Sequence, residues 1–333
     1  MMTSPIRIGL IGTGRIGQVH AATIDRSNDF ELAYICDTFI EGAEKMQALY
    51  GGNITSDPEE LLTSGAVDAI LVASPTPTHV GLIERAIDQG LHVLCEKPID
   101  LDIERVDALR EKAAQAKTLI AIGFNRRFDP GFNQIHARVA AGEIGQLEQL
   151  IIISRDPAPA PQEYIHVSGG IFRDMTIHDF DMARFFIPNI VEVSATGANA
   201  FSDYIAEEGD YDSVAVTLKG ANNEIITIVN SRHASFGYDQ RLEAFGSLGM
   251  LTASNLTPTS VQLHTAEAVE VREPYFNFFL ERYALSYQNE LADFATSIRT
   301  GNAINPNYED GRAALVLANA ALESAKTGKA VKL

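Results

Sequence analysis

The chain has 333 residues, 46% of them hydrophobic and 21% charged, which is the composition of an ordinary globular protein and longer than one hydrophobic core usually supports. Its 26 Lys and Arg against 44 Asp and Glu leave a formal charge of -18, which argues against nucleic acid and anionic membranes as partners and leaves a small neutral substrate open. No run approaches the roughly 20 apolar residues of a membrane-spanning helix, and the first apolar run is too short and lacks a basic lead for a signal peptide, so a cytoplasmic location is expected.

In chain order, strands are expected at 6–12, 30–37, 69–75, 92–98 and 118–124, with helices between them near 15–27, 38–50, 57–64, 78–90 and 102–116. Several of these strands are apolar nearly throughout, as strands covered by helices on both faces are. Asp57-Pro58-Glu59-Glu60 supplies a capping residue, a proline at the first helical position and acids in the first turn. A βαβ series of this kind predicts an N-terminal Rossmann domain, a doubly wound parallel sheet, over 1–122. Cys36 and Cys95 lie inside strand-like runs without metal-ligand spacing, so buried thiols are expected and no metal site is.

Over 123–333 the pattern changes. Helices are expected near 130–142, 174–187, 277–300 and 308–327, and β runs at 146–154, 190–199, 212–219, 224–232 and 240–247. Gly220-Ala221-Asn222-Asn223 reads as a hairpin turn. Short connections predict a large, mostly antiparallel sheet in a second, α+β domain, with the C-terminal helices free to pack back on the first domain. Val214, Val216 and Leu218 point one way and Ala215 and Thr217 the other. Neither side is strongly charged, so an open, mildly apolar face and a homo-oligomer are expected.

Gly12-Thr13-Gly14-Arg15-Ile16-Gly17 follows the first strand and opens a helix, the spacing that lets a backbone approach a pyrophosphate closely. A tight strand-to-helix turn with no ligand would need the same glycines. Asp37, ending the second strand, separates the two: a carboxylate there accepts the ribose hydroxyls of NAD and repels the 2′-phosphate of NADP. In RDMTIHDFD, from Arg173 to Asp181, Asp174 and His178 stand four apart, and on one helix they would leave the same face. An imidazole oriented by a carboxylate is a proton acceptor. A helix that buries its apolar residues while Asp174, Asp179 and Asp181 are merely solvated is the preferred reading of that stretch taken alone.

Glu96-Lys97-Pro98 ends a further strand at the sheet's carboxyl edge, where doubly wound folds bind ligands. With the glycine turn it resembles the glucose-fructose oxidoreductase, inositol dehydrogenase and MocA family of two-domain NAD(P)-dependent sugar and polyol dehydrogenases, from residue 6 to about 325. RDMTIHDFDMARF after Ser168-Gly169-Gly170-Ile171-Phe172, with Gly123-Phe124-Asn125-Arg126-Arg127-Phe128-Asp129 and Gly237-Tyr238-Asp239-Gln240-Arg241, resembles that family's myo-inositol 2-dehydrogenase branch.

The resemblance implies an NAD-dependent oxidation of a cyclic polyol, with Lys97, Asp174 and His178 catalytic. His178 would be the base, Asp174 its orienting partner or a substrate ligand, and Lys97 the cation on the developing alkoxide. The cofactor would meet Gly12, Gly14, Arg15, Ile16, Gly17, Asp37, Ser74, Thr76, His79, Glu96 and Lys97. Asn125, Arg127, Arg155, Asp156, Tyr238 and Tyr283 are substrate candidates. For Arg127 a salt bridge within the second domain is the alternative. The Asp156-to-Pro161 segment either walls the pocket or is a plain connection, and His20 is expected to cap or pack. Relatives of this kind imply a tetramer. A dehydrogenase for scyllo-inositol or an aldose such as glucose, an NAD-dependent glycoside hydrolase and a cofactor-sensing regulator without chemistry stand as rivals.

Overall fold

The computed structural model describes residues 4–333. The first part of the chain runs β1 (Ile6–Ile11), α1 (Arg15–Asp25), β2 (Phe30–Cys36), α2 (Ile40–Tyr50), β3 (Asn53–Thr55), α3 (Pro58–Thr63), β4 (Ala69–Val72), α4 (His79–Gln89), β5 (His92–Cys95), α5 (Ile103–Gln115) and β6 (Ile120–Ile122). It continues with α6 (Pro130–Ala140), β7 (Leu147–Arg155), α7 (Gln162–Ser168), α8 (Ile171–Asp174), α9 (Ile177–Phe186), β8 (Ile190–Ala198), α10 (Asp203–Glu207), β9 (Ser213–Gly220) and β10 (Ile225–Ser231). The last elements are β11 (Asp239–Gly246), β12 (Gly249–Ala253), α11 (Phe279–Arg282), α12 (Ala284–Thr300), α13 (Tyr308–Thr327) and β13 (Val331–Lys332).

Residues up to Asn125 together with Ser286–Leu315 form one compact unit, and Arg126–Leu285 with Val316–Leu333 form the other. The chain thus returns to the first unit near its end. In the first unit six parallel strands stand in the order β3-β2-β1-β4-β5-β6. This is the doubly wound arrangement whose ligands bind beyond the strands' carboxyl ends. Ile8, Leu10, Ile35 and Leu71 are fully buried in its core, which Leu291 and Phe294 of α12 join. The apolar runs overshoot the strands: 69–75 ends as a strand at Val72, since Pro75 and Pro77 have no N–H for a ladder. β3 is too short to show a period and was invisible in the sequence.

The second unit is a seven-stranded sheet in the order β12-β11-β7-β10-β9-β8-β13. Its pairings are antiparallel except β7 with β10, which are parallel because β7 is inserted between β10 and β11. β9 and β10 form the expected hairpin, with Asn223 at φ 71 in its turn. Val214, Val216 and Leu218 pack into one core with Phe132 of α6, Phe180 of α9 and Leu317 of α13. On the opposite face Ala215, Thr217, Ile225, Phe245 and Met250 are exposed. Two helices are broken where one was expected. The 174–187 helix is α8 and α9, separated at Met175 and Thr176, and 277–300 divides into α11 and α12 at Tyr283. Among the described residues no helix is long and apolar enough to cross a membrane.

Candidate active site

The glycine turn is built by close approach. Gly12 has φ +104, and a Cβ there would stand 2.5 Å from the carbonyl of Ala73; a Cβ on Gly17 would stand 2.1 Å from Gly12 O. Gly14 differs: a Cβ there meets nothing within 4 Å. Two glycines thus serve packing, and the middle one borders open space beside the first turn of α1, where Arg15 and Ile16 open the helix. Unsatisfied N–H groups at such an end suit an anion, so the turn fits a dinucleotide's pyrophosphate.

Asp37 closes β2 beside this turn. Its Oδ2 accepts the Thr13 N–H at 2.8 Å and the Thr13 hydroxyl at 2.6 Å, and its Oδ1 accepts the Phe39 N–H at 2.9 Å. Partial burial pulls its pKa up, but the hydrogen bonds from Thr13 and Phe39 outweigh it, and the carboxyl titrates below its ordinary value. A carboxylate offers about four acceptor positions, so capacity remains for ribose hydroxyls. Thr13 is a partner that the glycine spacing alone did not single out.

Beyond β4, the Ser74 and Thr78 hydroxyls are 2.6 Å apart and Thr76 opens a short 3-10 turn. His79 is 1% exposed, with its ring nitrogens 2.8 Å from the carbonyl oxygens of Pro98 and Ser74. It ties two loops together through both ring nitrogens. Glu96 is likewise committed inward: Oε1 lies 2.7 Å from His20 Nε2, and Oε2 accepts the Lys97 N–H at 3.3 Å. His20 therefore does more than pack, although Tyr287 also meets its ring edge-on at 5.4 Å. Between buried Glu96 and buried Pro98, Lys97 alone is partly exposed, and its peptide bond to Pro98 is cis. Asn125 is 2% exposed, and its side-chain Nδ2 is buried with no acceptor among the described residues.

In the second unit Asp174 is the last residue of α8 and His178 lies in the first turn of α9, so they do not share one helix. The premise of a single i, i+4 face is thereby corrected. From Met175 to Ala183 every residue but His178 is buried, and Asp174 is also partly exposed. Asp174 Oδ1 accepts the Tyr164 hydroxyl at 2.9 Å, and Oδ2 accepts Arg232 Nη1 at 3.3 Å.

Asp179 and Asp181 are not solvated. Both are 0% exposed. Arg126 Nη1 donates to Asp179 Oδ1 at 2.5 Å and to Ser154 Oγ at 2.9 Å, while Asn230 Nδ2 donates to Asp179 Oδ2 at 2.7 Å. Burial pushes the Asp179 carboxyl up against the opposing pull of Arg126. Arg127 grips Asp181 through Nε at 2.8 Å and Nη2 at 2.6 Å, which is the salt-bridge alternative for that residue. Tyr283 and Tyr238 are buried: the Tyr283 hydroxyl donates to Gln240 at 3.1 Å, and Arg126 reaches the Tyr238 hydroxyl at 3.5 Å. Burial raises both phenols, Tyr283 to about 12. Arg155 is paired with Asp239 at 2.7 Å, and the segment after it runs as a loop from Asp156 to the start of α7. Cys36 and Cys95 are free and buried.

Residues 6–124 match the oxidoreductase family with an NAD-binding Rossmann fold, GFO/IDH/MocA, and residues 132–252 match the GFO/IDH/MocA C-terminal domain. The inositol 2-dehydrogenase of Rhizobium meliloti (strain 1021) is 44% identical over 321 residues, covering 96% of each chain. A crystal structure of a myo-inositol dehydrogenase from Corynebacterium glutamicum superposes with a TM-score of 0.95 at 60% identity, covering 99% of both chains. A scyllo-inositol dehydrogenase from Lactobacillus casei, solved with bound NAD(H) and scyllo-inositol, gives 0.92 at 28% identity over 98% of this chain and 99% of that one.

Proposed function

The chain belongs to the GFO/IDH/MocA oxidoreductase family, and we propose that within it this protein is an NAD-dependent inositol 2-dehydrogenase that oxidises myo-inositol to 2-keto-myo-inositol. The observation that carries this is the 60% identity, over 99% of both chains, to a myo-inositol dehydrogenase of known structure. NAD supplies the hydride acceptor. Asp37, held as a carboxylate by Thr13 and Phe39, favours NAD over NADP because a 2′-phosphate beside it would meet a like charge.

Oxidation of a secondary alcohol needs a proton to leave oxygen while hydride leaves the same carbon. His178 takes the hydroxyl proton, Lys97 stabilises the alkoxide as it forms, and Asp174 fixes the hydroxyl or the imidazole. The partial exposure of each, with buried residues on both sides of Lys97 and His178, supports these roles. Asn125, with its buried and unmatched N–H2, is the strongest of the remaining candidates for a substrate hydroxyl. Arg127, Arg155, Tyr238 and Tyr283 shape the second unit from within. Each is already hydrogen-bonded or ion-paired within that unit, which makes it a weaker candidate for a polyol hydroxyl than Asn125.

The likeness to a scyllo-inositol dehydrogenase favours one second reading, the same chemistry on the other epimer. A panel of myo-inositol, scyllo-inositol, glucose and other aldoses, followed by NADH absorbance with NAD in excess, decides between them. Highest kcat/KM on myo-inositol is expected, and a preference for scyllo-inositol or glucose would replace the assignment. The protein acts in the cytoplasm as a homotetramer. Support for assembly comes from the exposed Ile225, Phe245 and Met250 on the sheet's uncovered face.

A further inference from the structure

We propose that Arg232 is a positioning residue for Asp174, and that with Asp210 it clamps both ends of α8 so that this carboxylate is presented in one place. The proposal rests on Asp174 taking part in the reaction. Helix α8 has four residues, too few to hold themselves by helical hydrogen bonding. Its start is fixed from outside: Asp210 Oδ1 accepts the Ile171 N–H at 2.9 Å. The close approach needs Gly170, since a Cβ there would lie 2.8 Å from Asp210 Oδ1. Its end is fixed by the same device, because Arg232 Nη2 holds Asp210 Oδ2 at 3.2 Å and Arg232 Nη1 holds Asp174 Oδ2 at 3.3 Å.

One guanidinium therefore spans two carboxylates, one at each end of the helix. Arg232 is only 1% exposed, and its backbone N–H is anchored on Asp212 O at 2.9 Å. Asp212 in turn accepts the N–H groups of Ala200, Phe201 and Ser202. Burial works against the charge of Arg232, but Asp174, Asp210 and Asp156 outweigh it and raise its pKa. A buried ion cluster is seldom the most stable way to fill a core, which points to placement of the acid as its use. Lysine could not replace it, having one point charge where the planar fork serves two partners. Arg232 directly follows β10 with no local motif around it, so nothing in the sequence marks it for this role.

The test compares Arg232→Lys, Asp210→Asn and Asp174→Asn with the wild type. Steady-state kinetics with NAD and myo-inositol are combined with the isotope effect of inositol deuterated at the reacting carbon. Misplacement of a reacting group by about 1 Å can reduce rate 100-fold, so Arg232→Lys should lower kcat/KM for inositol about 10- to 100-fold. KM for NAD should stay unchanged and the isotope effect should rise; Asp210→Asn should show the same pattern more weakly. A lower fraction of folded enzyme leaves the isotope effect unchanged, so a rate loss without that rise overturns the proposal. It is also overturned if Arg232→Lys and Asp210→Asn stay within about twofold of wild type while Asp174→Asn loses activity. Wild-type rates in Asp174→Asn would instead remove the role of Asp174 itself, and this inference with it. Should Arg232→Lys fail to fold, Asp210→Asn decides by the same two criteria.

Discussion

At the scale of single residues, the glycine turn separates folding from binding. A methyl group on Gly17 would collide with the Gly12 carbonyl, whereas one on Gly14 would enter empty space. Gly17→Ala should thus destabilise the protein by about 1–3 kcal/mol, as overpacking does. Gly14→Ala should melt with the wild type but bind NAD more weakly, if the open space is the pyrophosphate's place, as proposed. Thermal melts and NAD titration by fluorescence read the two effects separately. Equal melting of both variants, or unchanged NAD affinity in Gly14→Ala, would contradict this division.

Among the elements, the buried Arg126–Asp179 pair joins β7, α9 and β10 through Ser154 and Asn230. Breaking a buried pair by removing one partner strands the other charge, so Asp179→Ala should cost about 3–5 kcal/mol in denaturant unfolding. The double replacement Arg126→Met with Asp179→Leu should recover much of it. A loss below about 1 kcal/mol for Asp179→Ala would mean the pair is solvated. What was legible beforehand follows the same division between near and far. The parallel sheet showed in continuous apolar runs, and the glycine turn, Asp37 and Glu96-Lys97-Pro98 lie at their ends, all within a few residues of the signal that marks them. Asp179 resembled a solvated helix face because its partner Arg126 is 53 positions away. The break at Met175 was hidden for a like reason: the apolar spacing of 174–187 suits one helix, and the groups that seize α8, Asp210 and Arg232, come from distant segments.

For the whole molecule, the uncovered face of the second unit's sheet carries Ala215, Thr217, Val229 and Ile225 in a nearly uncharged patch. Val229→Asp should reduce the assembly to smaller species by light scattering while NAD binding persists, and an unchanged mass would place the contact elsewhere. The proposed oxidation assigns roles to one amine, one imidazole and one carboxylate. The most direct measurement is kcat at saturating NAD and myo-inositol for the wild type, Lys97→Met and His178→Ala. NADH should form with the wild type and fall by about 100-fold or more in each variant, the range for loss of a positioned proton-transfer group. No NADH from the wild type with any inositol, or near wild-type turnover in both variants, would contradict the assignment.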